Sequence, residues 1–514
     1  MSPPWRAAAL TAAFALALGA ATGRQLLDSM NDADEDVLAA LAEHADPEPP
    51  PAPAGGPRSP RLVIAVIDGL GEDTLLAEAP GAGIAPDHWH FRATVDAGTP
   101  SLSKPVYHVL LTGVPQAVSG IRNNSYSGRA RAAGLPESVR RSGGTVEWAL
   151  ETVPWFHDLF GAPEDGSERI RDEPFLDGVL DRPAIAAPDR DPFPAMTRAV
   201  RANPTLAVLH YTATDGAGHA HGADSAPYRA AARQALAHLR ALRDSHSSTP
   251  AGAGTVWMIG ADHGHLPRGG HGGPELAVRR TAWIGLWPGE VTRRVEIPGL
   301  VPADRLAATF AAILEVSPPP TALGDPLDLP DRPTAASPFA DARRTAVQAV
   351  LDRKLQDAHR GMAARAAALA TALLAIGIVL LRRGRARLLL GALAPVLGAC
   401  LAFLVLGPGA TLSAIRTHAG FLSQSTAAMA LGAALLSPLA RRWHVPSTWV
   451  FGAAAALPAT ALAVTAGSMA RSHAPESVQL LLPTTGLVPL GVITGTLMAG
   501  ALARLFARRR TGDS

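Results

Sequence analysis

Three apolar runs rich in β-branched residues divide the middle of the chain, and each of them ends at an aspartate. They cover 62–68 (LVIAVID), 206–215 (LAVLHYTATD) and 255–262 (TVWMIGAD), and helical patterns such as 226–243 lie between them. Continuous apolar runs that alternate with helices are typical of a mostly parallel sheet flanked by helices. Because ligands bind beyond the carboxyl ends of such strands, we expect the aspartates to meet at one rim of an α/β domain over 61–325.

The residues before this domain predict export and a tether. An apolar run over 7–22 follows Arg6, so residues 1–24 are predicted to be either a cleaved signal peptide or a retained signal anchor. Residues 25–60 are first acidic and then rich in Pro, Ala and Gly, a composition that suits a semi-extended linker. Either form of the N-terminal run would export the domain that follows.

The chain after this domain becomes strongly apolar. A Pro-rich linker over 326–362 leads to a predicted transmembrane domain over 363–506 and a basic tail over 507–514. Each apolar stretch has about 19–25 residues, enough to cross a hydrocarbon core of about 30 Å. The five predicted spans are 363–381, 388–406, 421–439, 447–469 and 479–503.

Arginines alternate between the connections of these spans. Clusters of arginine follow the first, third and fifth spans, whereas the opposite connections carry only Arg416 and Arg471. Cytoplasmic loops of membrane proteins are enriched in Lys and Arg. We therefore expect a multi-pass protein of the cell (inner) membrane, with the 61–325 domain on the extracytoplasmic side.

Charge and cysteine content exclude several classes of protein. The chain has 46 basic and 44 acidic residues, a formal net charge of +2, so no general attraction to a nucleic-acid polymer is expected. Its single cysteine, Cys400, excludes an intrachain disulfide and a cysteine-based zinc site. Any bound metal must therefore be held by His, Asp and Glu.

Six residues near the ends of the predicted strands can supply such ligands. Two lie four residues apart in DGAGH, where glycines permit a turn that brings both side chains to one cation; two are adjacent in ADHG, and one lies in GGHGG. Three carboxylates and three imidazoles suit two divalent ions, preferably zinc, with manganese as the alternative. Two such ions can hold the attacking and leaving oxygens of phosphoryl transfer. The six are Asp68, Asp215, His219, Asp262, His263 and His271.

A hydroxyl nucleophile is predicted in TPSLSKP, just before an apolar helical stretch. Thr99, Ser101 and Ser103 are the candidates, and a Ser/Thr helix cap is the alternative role for any of them. A helix N-terminus offers free N–H groups to a phosphate, and a serine oxygen bound to zinc loses its proton more easily. Taken alone, the segment fits a helix cap better, and it is the predicted metal ligands that make a nucleophile for phosphoryl transfer the expectation here.

Four motifs together resemble the alkaline phosphatase superfamily. VIDGLG, PSLSKP…TG…GIRNN, TDGAGHAHG and ADHG…GGHGG follow one another in its order and at its approximate spacing over 61–325. The chain looks most similar to the type I phosphodiesterase/nucleotide pyrophosphatase branch, which includes the glycosylphosphatidylinositol ethanolamine-phosphate transferases. The resemblance implies a two-zinc enzyme that forms a phosphoseryl intermediate.

The resemblance also implies a role for each site residue. Ser103 matches the nucleophile, with Ser101 as the runner-up, and Asn124 matches an asparagine that steadies a phosphoryl oxygen. The two zinc sites would be formed by Asp215, His219 and His271, and by Asp68, Asp262 and His263.

Several positions depart from the family pattern or compete with a predicted role. Val106 replaces the Asn or Gly that usually follows the proline, and Asn123 competes with Asn124 in the alignment. His221 and His265 lie near the site and are expected to be solvated loop histidines rather than ligands.

The resulting interpretation is a membrane-anchored two-metal phosphodiesterase or a phosphoethanolamine-type phosphotransferase that acts on a membrane lipid or glycan phosphoester. One alternative is a nucleotide pyrophosphatase/phosphodiesterase hydrolase. Another is a membrane scaffold or lipid translocator with an inactive catalytic domain. A sulfatase would need a Cys/Ser-x-Pro-x-Arg pattern, which the SLSKP segment lacks.

Overall fold

The chain forms two compact units, one over Asn31–Asp352 and one that comprises Met1–Met30 and Arg353–Ser514. The predicted segment 1–24 and most of the predicted spans 363–381, 447–469 and 479–503 lie outside the described residues. The computed structural model describes residues 35–47, 60–161, 193–331, 339–354, 386–407 and 418–446, apart from 125, 127, 152 and 251, together with scattered positions elsewhere.

The larger unit is built on a mixed sheet of seven described strands. These are β1 Arg61–Ile67, β2 Phe91–Asp96, β3 Val146–Leu150, β4 Leu206–Tyr211, β5 Thr255–Gly260, β6 Arg280–Leu286 and β7 Val295–Pro302. Their order is β3-β4-β1-β5-β6-β2-β7. The first four strands in this order are parallel, and β6 runs antiparallel to both of its neighbours.

Apolar side chains cover both faces of the sheet. Ile64 and Val66 of β1 belong to one hydrophobic cluster, whereas Val63 and Ala65 belong to the other. Successive side chains of a strand point to opposite faces, so a strand that is covered on both sides is a continuous apolar run. The predicted α/β sheet flanked by helices is thus confirmed, and β6, β2 and β7 extend it on one side.

Helices connect the strands, and α3 and α8 begin at the edge of the sheet where the predicted site lies. The long α9 contains the predicted helical stretch 226–243, and α3 begins at Ser103. The described helices of this unit are α1 Glu35–Glu43, α2 Glu72–Glu78, α3 Ser103–Thr112, α4 Gln116–Ser119, α5 Leu135–Arg141, α6 Val153–Phe160, α7 Phe193–Arg201, α8 Ala213–His221, α9 Ala226–Ser247, α10 Leu276–Arg279 and α11 Arg305–Leu314.

Segments on both sides of 61–325 also pack onto this unit. Val37 and Leu41 of α1 are buried in a cluster with apolar residues of a helical stretch over 340–354. The guanidinium of Arg343 is buried and donates to three backbone carbonyl groups. Apolar residues at i and i+4 form a stripe along a helix, which explains why part of the acidic segment packs rather than extends.

The smaller unit contains two long described helices, α12 Ala386–Leu406 and α13 His418–Arg442. They coincide with the second and third of the predicted spans. Among the residues described, no helix combines the length and the apolar character that crossing a membrane requires. The C-terminal membrane domain therefore stays a prediction from the sequence.

Candidate metal centre and nucleophile

The three sequence-predicted aspartates lie at one edge of the sheet. Asp68 follows β1, Asp262 follows β5, and Asp215 lies in the first turn of α8, just after β4. Since β4, β1 and β5 are parallel neighbours, their carboxyl ends open at the same edge. All three carboxylates are buried there, as the apolar runs that end in aspartate led us to expect.

Histidines join these carboxylates in two overlapping clusters. Within each cluster the ligand atoms lie within 4.8 Å of one another, and His263 belongs to both. Buried carboxylates and imidazoles gathered this closely are the donors that zinc prefers when cysteine is absent. The first cluster is Asp68, Asp262 and His263, and the second is Asp215, His263, His265 and His271.

His219, the sixth predicted ligand, lies beside the second cluster. Its Nε2 is 3.5 Å from Asp215 Oδ1 and 3.1 Å from His271 Nε2. The DGAGH segment is part of a helix rather than the predicted turn. The helix achieves the same convergence, because residues four positions apart lie on one helical face.

His265, which we expected to be a solvated loop histidine, is buried within the site. Its Nε2 is 2.9 Å from Asp215 Oδ1. A Cβ added to Gly218 would lie 2.3 Å from the Cδ2 of His265, and one added to Gly69 would lie 2.9 Å from its Nε2. The glycines of two motifs therefore make room for this imidazole. His221, by contrast, is exposed at the end of α8, as expected.

Three buried carboxylates in so small a volume repel one another. Burial and the charge of Asp215 raise the pKa of Asp68 well above its ordinary value. Burial and the charge of Asp68 raise the pKa of Asp262 to about 7. Burial also acts to raise the pKa of Asp215, but three surrounding histidines outweigh it and hold that pKa well below its ordinary value. A bound divalent cation would offset this repulsion.

Asp262 provides the most direct indication that a cation fits. Its Oδ1 accepts a hydrogen bond from the N–H of Gly69 at 3.1 Å. Its Oδ2 is buried 3.3 Å from His263 Nε2 and has no hydrogen-bond partner among the described residues. A buried carboxylate oxygen is costly unless it is hydrogen-bonded or coordinates a cation. The donor set therefore fits a divalent metal ion.

The imidazoles are in the state that ligation requires. Burial lowers the pKa of both His263 and His271, so both rings are neutral near pH 7. The Nδ1 of His271 lies 3.0 Å from the carbonyl oxygen of Ser101 and donates its proton to it. The Nε2 atom of His271 then carries no proton, and its lone pair can coordinate a metal ion.

Ser101 has a structural position. Its buried hydroxyl donates to the carbonyl of Gly273 at 3.2 Å and accepts from the N–H of Gly272 at 3.1 Å. These bonds, with the one from His271 to its carbonyl, hold the GGHGG loop in place. The geometry therefore favours Ser103 over Ser101 as the nucleophile.

Ser103 is the first residue of α3, and its hydroxyl points into the first cluster. Its Oγ is 3.1 Å from His263 Nε2 and 3.5 Å from Asp68 Oδ1. The positive end of the helix dipole favours an anion at this place. One position thus combines a hydroxyl, candidate metal ligands and a site for negative charge.

Asn124 lies beside Lys104, the residue that follows Ser103. Its Oδ1 accepts the backbone N–H of Lys104 at 3.0 Å, which orients the side-chain amide. Lys104 is itself buried, and its ammonium donates to Asp158 at 2.7 Å and to the carbonyl of Tyr126. Asn123, the competing asparagine, is also buried.

Two buried residues next to Asp68 were not predicted from the sequence. The hydroxyl of Tyr107 is 2.5 Å from Asp68 Oδ2 and 2.6 Å from His210 Nε2. Burial and the charges of Asp262 and Asp68 raise the pKa of Tyr107 well above its ordinary value, and burial lowers the pKa of His210 to about 4. The spacing of Tyr107, four residues after Ser103 in α3, is the signal that could have revealed it.

Neither a protein-family model nor a curated protein sequence matches the chain. Solved structures with a similar backbone include a 2-O GAG sulfatase (15% identity, TM-score 0.41, 55% of this chain and 76% of that chain). The phosphonate monoester hydrolase from Silicibacter pomeroyi is 14% identical (TM-score 0.39, 52% and 76%). Murine ectonucleotide pyrophosphatase/phosphodiesterase 5 is 11% identical (TM-score 0.41, 55% and 99%). Likenesses this distant carry no conclusion about the reaction, which must be inferred from the side chains.

Proposed function

We propose that this chain is a two-metal phosphodiesterase or phosphotransferase of the alkaline phosphatase superfamily, with Ser103 as its nucleophile. The observation that carries the proposal is the hydroxyl of Ser103, 3.1 Å from His263 at the start of a helix and next to a cluster of buried carboxylates. The four ordered motifs in the sequence support the same assignment.

Two divalent ions, preferably zinc, fit the donors of this site. When bound, they would supply positive charge that stabilises the phosphoryl oxygens and the ionised serine. His265, hydrogen-bonded to Asp215, adds a further imidazole to the second set. The two proposed sets of ligands are Asp68, Asp262 and His263, and Asp215, His219 and His271.

The reaction would proceed by two displacements. The Ser103 oxygen forms a bond to phosphorus while the bond from phosphorus to the leaving oxygen breaks, and the leaving group takes up a proton. The side-chain N–H groups of Asn124 donate to a phosphoryl oxygen, and the start of α3 favours its negative charge. Water or an acceptor hydroxyl then displaces the serine oxygen, which makes the chain a hydrolase or a transferase respectively.

When the sulfatase pattern is aligned on Ser103, the residues that follow Ser103 do not match it. The sulfatase pattern requires an arginine two residues after Pro105, where this chain has Tyr107. The hydroxyl of Tyr107 contacts Asp68. An inactive scaffold is disfavoured as well, because the predicted ligands and the hydroxyl converge at one rim.

We further propose that the chain is anchored in the cell membrane, with this site on the extracytoplasmic side and a lipid or glycan phosphoester as substrate. The support is the alternation of arginines around the apolar C-terminal stretches. A membrane anchor would confine the enzyme and a lipid donor to one surface.

The test compares three chromogenic esters: bis(p-nitrophenyl) phosphate, p-nitrophenyl phosphate and p-nitrophenyl sulfate. We expect the purified full chain to hydrolyse the diester fastest, to lose activity after chelation and to regain it with zinc. Ser103→Ala should release no p-nitrophenolate although its zinc content is that of wild type. Preference for the sulfate, or full activity of Ser103→Ala, would contradict the proposal.

A further inference from the structure

The two carboxylate oxygens of Asp68 have different neighbours. Oδ1 lies 3.5 Å from the hydroxyl of Ser103 and 3.4 Å from His263 Nε2, among the candidate ligands. Oδ2 lies 2.5 Å from the hydroxyl of Tyr107 and 3.4 Å from His210 Nε2. One oxygen therefore faces the site where the metal is proposed, and the other is held by protein groups.

The chemistry of these groups determines the direction of the hydrogen bonds. When Asp68 is ionised, as it would be on binding a cation, its carboxylate can only accept, so Tyr107 gives its single O–H proton to Asp68. The tyrosine oxygen can then only accept, and it lies 2.6 Å from His210 Nε2. His210 therefore carries a proton on Nε2, and the chain of donors runs from His210 to Tyr107 to Asp68.

Packing keeps this pair in one orientation. The side chains of Tyr107 and His210 are almost completely buried. Phe156 stacks on the ring of Tyr107 with centroids 4.7 Å apart and lies 5.3 Å from the ring of His210. In β4, His210 is paired with Val66 of β1, the strand that ends just before Asp68. Neither side chain can turn away without displacing this aromatic packing.

We infer that Tyr107 and His210 are positioning residues, which hold Oδ2 of Asp68 so that Oδ1 is presented to the ion shared with Asp262 and His263. The inference rests on the proposed function but adds residues that are not themselves ligands. Hydrogen-bond partners behind a metal ligand typically contribute about 10–100-fold to metal affinity.

Tyr107→Phe tests this directly, because it removes the hydroxyl and keeps the ring that stacks on Phe156. Zinc affinity of the stripped full chain is measured by competition with a chromophoric chelator. We expect one of two zinc ions to bind at least about tenfold more weakly and the other to bind as in wild type. Activity should fall at limiting zinc and recover at saturating zinc.

Tyr211→Phe is the matched control. Tyr211 is likewise a buried tyrosine, at the end of β4, and its hydroxyl is 3.2 Å from the Nδ1 of His238, outside both ligand clusters. This variant should bind both zinc ions with wild-type affinity. Equal zinc binding by Tyr107→Phe and Tyr211→Phe would overturn the inference.

Substitutions of His210 provide a second route that does not depend on the tyrosine variant folding. His210→Leu removes the donor and should weaken the same zinc ion, whereas His210→Gln keeps an N–H donor and should restore part of the affinity. In the Tyr107→Phe background, His210→Leu should add little, because the two residues act in series. Additive losses would overturn the inference, whereas a wild-type chain that binds no zinc would refute the proposed function itself.

Discussion

At the scale of single residues, burial shifts the pKa values of ionisable groups in the site away from their ordinary values. The pKa of Asp262 is raised to about 7 by burial and by Asp68, while the pKa of His263 is lowered by burial. Both changes disfavour charge in the metal-free protein. A divalent cation reverses the balance for the carboxylates and uses the neutral imidazoles as ligands.

The stability of the metal-free chain should therefore depend on pH through Asp262. Its pKa in the fold, about 7, lies above the ordinary value of 3.8. Its contribution is fully present below about pH 4 and is lost as the pH rises through about 7, by about 1.4 kcal/mol for each pH unit between the two pKa values. In urea titrations with chelator, wild type should lose free energy of unfolding relative to Asp262→Asn between pH 4 and pH 8.

Zinc provides the control for this prediction. With zinc at pH 8, wild type should become the more stable of the two, because Asp262→Asn binds metal poorly. A difference between the two proteins that stays constant from pH 4 to pH 8 would contradict the account of Asp262.

Alanine substitutions of Ser101 and Ser103 should have different effects, because Ser101 positions a loop and Ser103 is the proposed nucleophile. Ser103→Ala should lower kcat by at least about 10³-fold at every zinc concentration, because it removes the proposed nucleophile. Ser101→Ala should raise the zinc concentration needed for half-maximal activity, because it frees the loop that contains His271. The activity of this variant should recover at saturating zinc. Loss of turnover in Ser101→Ala with both ions bound would make Ser101 the nucleophile.

At the scale of elements, the order of the strands brings the site together. The parallel order β4-β1-β5 gathers ligands that lie far apart in the sequence, and α3 and α8 each begin at this edge. The apolar runs sufficed to predict these three strands, because each is buried on both faces. Strand β2 has alternating burial, and the exposed edge strand β7 is interrupted by Pro298 and Gly299, so neither produced such a run.

Site residues that belong to a sequence motif could be predicted. Site residues whose role depends on packing against distant parts of the chain could not. Asp68, Asp215 and Asp262 each end an apolar run, which indicated their common edge. The roles of His210 and His265 depend on which strand or glycine lies next to them, and the sequence alone does not show those neighbours. His210 looks like an ordinary member of a buried strand until the pairing of β4 with β1 is known.

Gly218 in α8 should be required although alanine is the better helix former. Alanine would favour the helix by up to about 1 kcal/mol. Its Cβ, however, would lie 2.3 Å from the imidazole of His265 and would displace that ring from Asp215. We expect Gly218→Ala to lose zinc affinity and activity in the same chelator assay.

Gly254→Ala is the control, since nothing lies within 4 Å of a Cβ added there. It should bind zinc as wild type does. Wild-type zinc affinity in Gly218→Ala would show that His265 has no part in the site.

At the scale of the whole molecule, the chain combines the sheet unit with a C-terminal part rich in apolar residues. The predicted orientation of that part rests on arginine counts alone. The single native cysteine, Cys400, makes the orientation accessible to labelling, because a Cys400→Ala background has no other thiol.

In that background, Ser472→Cys lies in a connection predicted to be extracytoplasmic and Gly384→Cys in one predicted to be cytoplasmic. A membrane-impermeant maleimide should label Ser472→Cys in right-side-out vesicles and Gly384→Cys in inside-out vesicles. The reverse pattern would place the catalytic unit in the cytoplasm, and equal labelling in both would argue against a membrane-spanning arrangement.

We propose that two metal ions bind at the rim where β1, β4 and β5 end, beside Ser103. Anomalous diffraction from crystals of the zinc-loaded chain, collected on both sides of the zinc absorption edge, would locate them. We predict two zinc peaks, one within ligand distance of Asp68, Asp262 and His263 and the other within ligand distance of Asp215, His219 and His271. The absence of zinc peaks at this rim, or zinc bound only elsewhere, would contradict the account.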